Sequence, residues 1–152
     1  NRETFLSNSQ AMVDRLNSIG MEVVANEYGR ADIRLQLQRK DPQGFDEFLR
    51  LLESHSAIGS AVTFRGFVMN RPTIYALEDK LRALRVPTLI MIGDEDEPCI
   101  EPAVFMKRNI PISGLSVFPQ SGHAINLEEP ELFNRTVSEF LTAVEAGRWA
   151  GR

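Results

Sequence analysis

Two short apolar runs constrain this chain more than anything else in it: Thr88-Leu89-Ile90-Met91-Ile92 and Leu115-Ser116-Val117-Phe118. The first has no polar face, as expected of a parallel strand covered by helices on both sides. Between the runs lies room for a short helix, predicted to open at Glu101-Pro102 and reach about Asn109. A turn at Ile112-Ser113-Gly114 follows. Strand, helix, strand is a βαβ unit, and its right-handed crossover brings the two strand ends close together. Two strands alone are marginally stable, and a strand buried on both faces needs neighbours for its backbone groups. The expectation is therefore a C-terminal part of a larger chain, or a fold completed by a second polypeptide.

Upstream of Arg85-Val86-Pro87 the pattern is helical. Phe5, Met12, Leu16 and Ile19 share a face that ends before Gly20. Asp41-Pro42 is a helix start, with Phe45, Phe48, Leu49 and Leu52 repeating behind it. Ser56 can cap another helix, carrying Ile58, Ala61, Val62, Arg65 and Met69. Ile74, Leu77, Leu81 and Leu84 mark one more after Pro72. Ile33 to Gln38 alternates with period two but has no alternating partner nearby, so helix is favoured there. Downstream, Pro130 starts a helix with Phe133, Val137, Phe140, Leu141 and Val144 inward, and Gly147 can end it. The expected division is a helical region over residues 1–72 and an α/β region over 73–152.

Composition narrows the class of function. The 17 Lys and Arg against 21 Asp and Glu give a net charge of −4, with no basic block for a nucleic-acid backbone. One cysteine, Cys99, excludes an internal disulfide framework and suits a reducing, cytoplasmic setting. No apolar run approaches the roughly 20 residues of a membrane span, and no signal-peptide pattern opens the chain. Two histidines and one cysteine lack the spacing of a zinc site, and no glycine-rich phosphate loop occurs, so no metal or cofactor is expected.

The polar residues just past the two strands carry the chemistry. Asp96 lies four residues beyond Ile92, where functional groups collect in parallel sheets. An acid there can accept from a histidine ring and fix its tautomer. The competing reading is a solvated acidic turn, since Asp94, Glu95, Asp96 and Glu97 are consecutive. His123 follows the second strand in Pro119-Gln120-Ser121-Gly122-His123, where Gly122 would allow a tight turn. It is a natural general base, or else a loop histidine with one structural bond. As a pair at neighbouring strand ends, the two make up two thirds of a nucleophile–histidine–acid triad.

The stretch Val86-Pro87-Thr88-Leu89-Ile90-Met91-Ile92-Gly93-Asp94-Glu95-Asp96 resembles the strand-and-acid motif of the α/β-hydrolase superfamily. Ser121-Gly122-His123, with Asn126-Leu127-Glu128-Glu129-Pro130-Glu131-Leu132-Phe133, resembles its histidine loop and final helix. The resemblance covers Leu81 to about Val144; residues 1–80 are similar to the family's lid only in character and position. It implies the C-terminal portion of an α/β-hydrolase fold, parallel strands with flanking helices, preceded by a helical lid. The family pattern G-x-x-D selects Asp96 over Asp94. It also implies a nucleophile on a G-x-S-x-G elbow, a motif found nowhere in these 152 residues. The nucleophile half is thus an expected partner, in the same or a separate chain.

By that resemblance the expected activity is hydrolysis of a small carboxylic ester, lactone or related acyl substrate, with Asp96 and His123 as acid and base. Carbon–carbon, epoxide and haloalkane hydrolases share the fold, as does a non-catalytic binding protein. Ala124 directly after the histidine, where carbon–carbon hydrolases often carry tryptophan, counts against the first. Phe64, Phe67 and Met69, with Ala124, are candidate substrate contacts, although ordinary helix packing explains the first three equally well. His55 reads as a cap or surface residue; Cys99, where a small side chain could face the pocket, reads rather as a buried, inert thiol. Self-association into a homo-oligomer also stays open.

Overall fold

A computed structural model describes residues 2–151. They form two compact units. The first comprises the residues up to Asp32 together with Pro42–Pro72; the second comprises Ile33–Asp41 and the chain from Thr73 onward.

The first unit is helical. Helix α1 runs Arg2–Gly29 but is interrupted at Gly20, whose φ of 81° is left-handed, so it is two helices joined at a glycine. The predicted stop before Gly20 is therefore a break rather than an end. Helices α2 (Leu35–Lys40), α3 (Pro42–Glu53) and α4 (Ala57–Thr63) follow, α2 belonging to the second unit. Ser56 caps α4 as expected, its Oγ accepting from Gly59 N at 3.1 Å. A π-helical turn, Phe64–Val68, continues it. Val13, Leu16, Val24 and Ala61 are buried together, with Met12, Met21, Ala57 and Phe64 packed against them. The α3 stripe works as its spacing predicts, with Phe45 and Leu49 buried. Gly29 fits this packing closely, since a β-carbon there would stand 2.3 Å from Leu49 Cδ2 and that side chain would have to shift.

The second unit holds the sheet. Residues 74–77 form a 3-10 turn and α5 spans Glu78–Ala83, so the predicted single helix over Ile74 to Leu84 is divided. Strands β1 (Thr88–Gly93) and β2 (Ser113–Phe118) pair in parallel, Thr88 opposite Ser113 through Gly93 opposite Phe118. Helix α6 (Glu97–Asn109) connects them. It begins four residues earlier than Glu101, because Pro98 occupies its first turn, where a missing N–H costs nothing. Pro102 lies inside the helix instead of opening it. Ile90, Ile92, Ala103 and Ile110 form the core, with Leu81, Leu84 and Leu115 against it. A short helix, α7 (Ile125–Glu128), precedes α8 (Pro130–Glu145), and Gly147 at φ 65° ends α8. Trp149 packs edge-on against Phe140, with ring centroids 4.8 Å apart.

The segment Ile33–Asp41 is helical as favoured, a 3-10 turn followed by α2, but it packs in the second unit. No helix among the described residues is long and apolar enough to cross a membrane.

Candidate active site

The β1 strand ends in a glycine for a steric reason. A β-carbon on Gly93 would lie 2.1 Å from the carbonyl oxygen of Ser121 and 2.3 Å from that of Gly122. The loop after β2 is laid directly against this backbone. Three bonds hold the approach: Asp94 N donates to Phe118 O (3.0 Å), Glu95 N to Ser121 O (2.9 Å), and Ser121 N to Asp94 Oδ1 (3.1 Å). Asp94, the acid passed over in the sequence motif, thus serves as a tie for the histidine loop.

Asp96 occupies the N-cap position of α6, yet its side chain caps nothing there. It turns instead to His123, whose ring Nδ1 lies 2.7 Å from Asp96 Oδ2. The carboxylate is buried, at 7% side-chain exposure, and the imidazole is half exposed, at 47%. The solvated acidic turn is therefore not what Asp96 adopts, although Asp94 and Glu95 beside it are exposed. With its hydrogen on Nδ1, the ring donates to Asp96 and keeps a lone pair on Nε2. That arrangement can take a proton from a nucleophile placed on the open side of the ring. A hollow of about 300 Å³ adjoins the pair, lined in part by Gly93, Cys99, Pro102, Met106 and Ile125.

The histidine loop is held from three directions. Glu128, buried in α7, accepts from Gly122 N at 2.5 Å and from Ala124 N at 3.1 Å, clasping the amides on either side of His123. His123 N itself donates to Ile33 O at 2.8 Å. Lys40 Nζ donates to Ser121 Oγ (3.3 Å) and pairs with Glu129 (2.5 Å), while Gln36 Nε2 donates to Glu95 (2.7 Å). The strap Ile33–Asp41 is therefore part of this site's scaffold.

Gly122 differs from expectation. Its backbone is not left-handed; the positive φ in this loop falls on Gln120, at 51°. Gly122 is needed for close approach, since a β-carbon would sit 2.2 Å from Ile33 O.

Neither Glu128 nor the strap was singled out from sequence. Glu128 had a readable signal, a carboxylate one helical turn beyond Ala124 and placed to accept free N-terminal amides. The strap had none. Glu128→Gln keeps the shape but removes the charge and turns one acceptor into a donor facing an N–H. The expected loss of stability is about 1–3 kcal/mol, checked by urea denaturation.

The other candidates lie as follows. Ala124 is half-buried beside His123. In the first unit Phe64 lines a cavity of about 420 Å³ together with Met12, Leu16, Tyr28 and His55. Phe67 is exposed, and the Met69 carbonyl oxygen accepts from Arg2 Nη2 at 2.9 Å.

No family model matches the chain. Individual relatives do. Protein ABHD14A of Mus musculus is 32% identical over 137 residues, covering 82% of this chain and 53% of that protein. Proline iminopeptidase of Saccharolobus solfataricus is 29% identical over 96 residues, 57% of this chain and 30% of the relative. The structure of MenH from S. aureus superposes with a TM-score of 0.86 at 23% identity, covering 93% of this chain and 53% of that one. These relatives are α/β-hydrolases. The chain belongs to the α/β-hydrolase superfamily. Its fold is that of the C-terminal part of such a hydrolase. It spans about half the length, or less, of these relatives.

Proposed function

We propose that this chain supplies the acid and the base of a Ser-His-Asp triad in a hydrolase for small carboxylic esters, lactones or related acyl substrates. The 2.7 Å contact between buried Asp96 and half-exposed His123, at the ends of two adjacent parallel strands, carries the reading. A relative named as a peptidase, whose bond to be cleaved is also an acyl linkage, supports carbonyl chemistry.

In this reading the serine lies in a nucleophile-bearing segment outside these 152 residues, which also contributes further strands to the sheet. His123 Nε2 removes the serine proton as the oxygen attacks the substrate carbonyl. The proton then passes to the departing alcohol, leaving an acyl-serine. Water, deprotonated by the same nitrogen, attacks the acyl carbon and regenerates the serine. Asp96 holds the ring in the required tautomer and stabilises the imidazolium formed in each half-reaction. No cofactor takes part.

A fluorophosphonate probe tests this on the protein that joins the chain to its nucleophile segment. Intact mass under denaturing conditions is expected to rise by one label, mapped to a single serine. Asp96→Asn should slow labelling by about 10³- to 10⁴-fold, since the amide favours the wrong histidine tautomer. No serine label, or an unchanged rate in Asp96→Asn, defeats the reading. The native mass of the same sample tells whether the nucleophile arrives on the same polypeptide.

A further inference from the structure

One donor atom from each of Asp96, Cys99 and His123 falls within 4.8 Å of the other two. They come from two places in the sequence. Asp96 and Cys99 flank the start of α6, fixed to each other by Cys99 N donating to Asp96 O at 2.8 Å, and His123 arrives from the loop after β2. We propose that they form a binding site for a thiophilic divalent cation, zinc above all, and that its occupancy excludes the Asp96–His123 hydrogen bond or its use.

Two observations point to a cation. The first is the donor set: one sulfur, one imidazole nitrogen and one carboxylate oxygen suit zinc and are poorly matched to magnesium or calcium. Zinc bonds of about 2.0–2.3 Å place neighbouring donors roughly 3.5 Å apart, so donors up to 4.8 Å apart need to close by about 1.3 Å at most. The second is Asp96 Oδ1. This oxygen is fully shielded from solvent and has no hydrogen-bond partner among the described residues. A buried carboxylate oxygen without a donor is a costly arrangement that a cation relieves. The half-exposed imidazole leaves the cluster an entry path, and water can complete the tetrahedron.

Binding converts the Cys99 thiol to thiolate and releases its proton to solvent. If Nδ1 of His123 takes the cation, the hydrogen bond to Asp96 is lost. If Nε2 takes it, the nitrogen that accepts the nucleophile's proton is blocked. Either way the cation and the triad compete. This second half rests on the function proposed above; the binding itself does not.

Cobalt(II), a spectroscopic substitute for zinc, is titrated into the full 152-residue chain with circular dichroism as the check on folding. The expected result is one equivalent bound, a thiolate-to-cobalt charge-transfer band, and displacement by zinc. Cys99→Ser should abolish the band and, like His123→Ala, weaken binding by at least about tenfold. His55→Ala should leave both unchanged. Absence of the band in folded wild-type chain, its survival in Cys99→Ser, or its loss only in His55→Ala overturns the site. In the protein with its nucleophile segment, zinc should slow fluorophosphonate labelling of wild type and spare Cys99→Ser. Cobalt binding without any slowing would overturn the competition and leave the metal site standing.

Discussion

In the protein that carries the proposed nucleophile segment, replacing His123 by alanine is expected to lower ester turnover by about three or more powers of ten, in kcat rather than KM. The reason is positional. The ring is half exposed and contributes little to the core, so its removal leaves β1, β2 and α6 packed as they are. What disappears is the proposed base and the ring nitrogen that bonds Asp96 Oδ2. A second, smaller effect accompanies it. Asp96 is left buried with neither oxygen paired, at a cost of about 1–3 kcal/mol. Initial rates on a p-nitrophenyl ester, together with urea denaturation, separate the two. A fall in kcat of less than tenfold would remove His123 from the role of base.

Gly93→Ala is expected to be the most damaging single methyl in the chain. The three atoms nearest its β-carbon, at 2.1, 2.3 and 2.5 Å, all belong to the backbone of Ser121 and Gly122. No side chain can swing aside to admit the group. Either the strand end or the histidine loop must move, and both carry the site. A loss of about 4 kcal/mol or more follows, at the extreme of what point substitutions do, together with displacement of His123 from Asp96. Gly66→Ala is the control. Gly66 lies in the helical turn after α4 with nothing near its β-carbon, and alanine there should raise stability by up to about 1 kcal/mol. Equal stability of Gly93→Ala and wild type would show that the loop is not pressed against β1.

The strands and the acid–histidine pair were legible because their signals are local. An apolar run bounded by Gly93 and by Pro119 reads as a strand from a few consecutive residues. The resemblance to the family pattern G-x-x-D, with the acid three residues after Gly93, is what separates Asp96 from Asp94. The start of α6 was misjudged because two prolines, Pro98 and Pro102, both suit a first turn, and only the fold selects between them. Gly122 was rightly singled out for the wrong reason, since close approach of another backbone leaves no trace in neighbouring residues. Glu128 looked like one more acid in an acidic helix start. Burial turns it into the clasp of the histidine loop. The strap was invisible for a different cause: Lys40 reaches partners 81 and 89 residues away, and nothing at either end announces the other.

Those long separations also set an order of events. The β1–β2 pair closes a loop of about 25 residues, whereas the bonds of Lys40 in the strap close loops of more than three times that length. The difference in closure entropy is only about 1 kcal/mol, but it favours the sheet forming first and the strap arriving afterwards. Strand and α6 can then exist while the histidine loop still wanders, with Asp96 already in place and no imidazole beside it. The amide of His123, bonded to Ile33, should accordingly exchange its hydrogen sooner than the amide of Ile90. Competence to react would be the last property this chain acquires on folding, and the first it gives up.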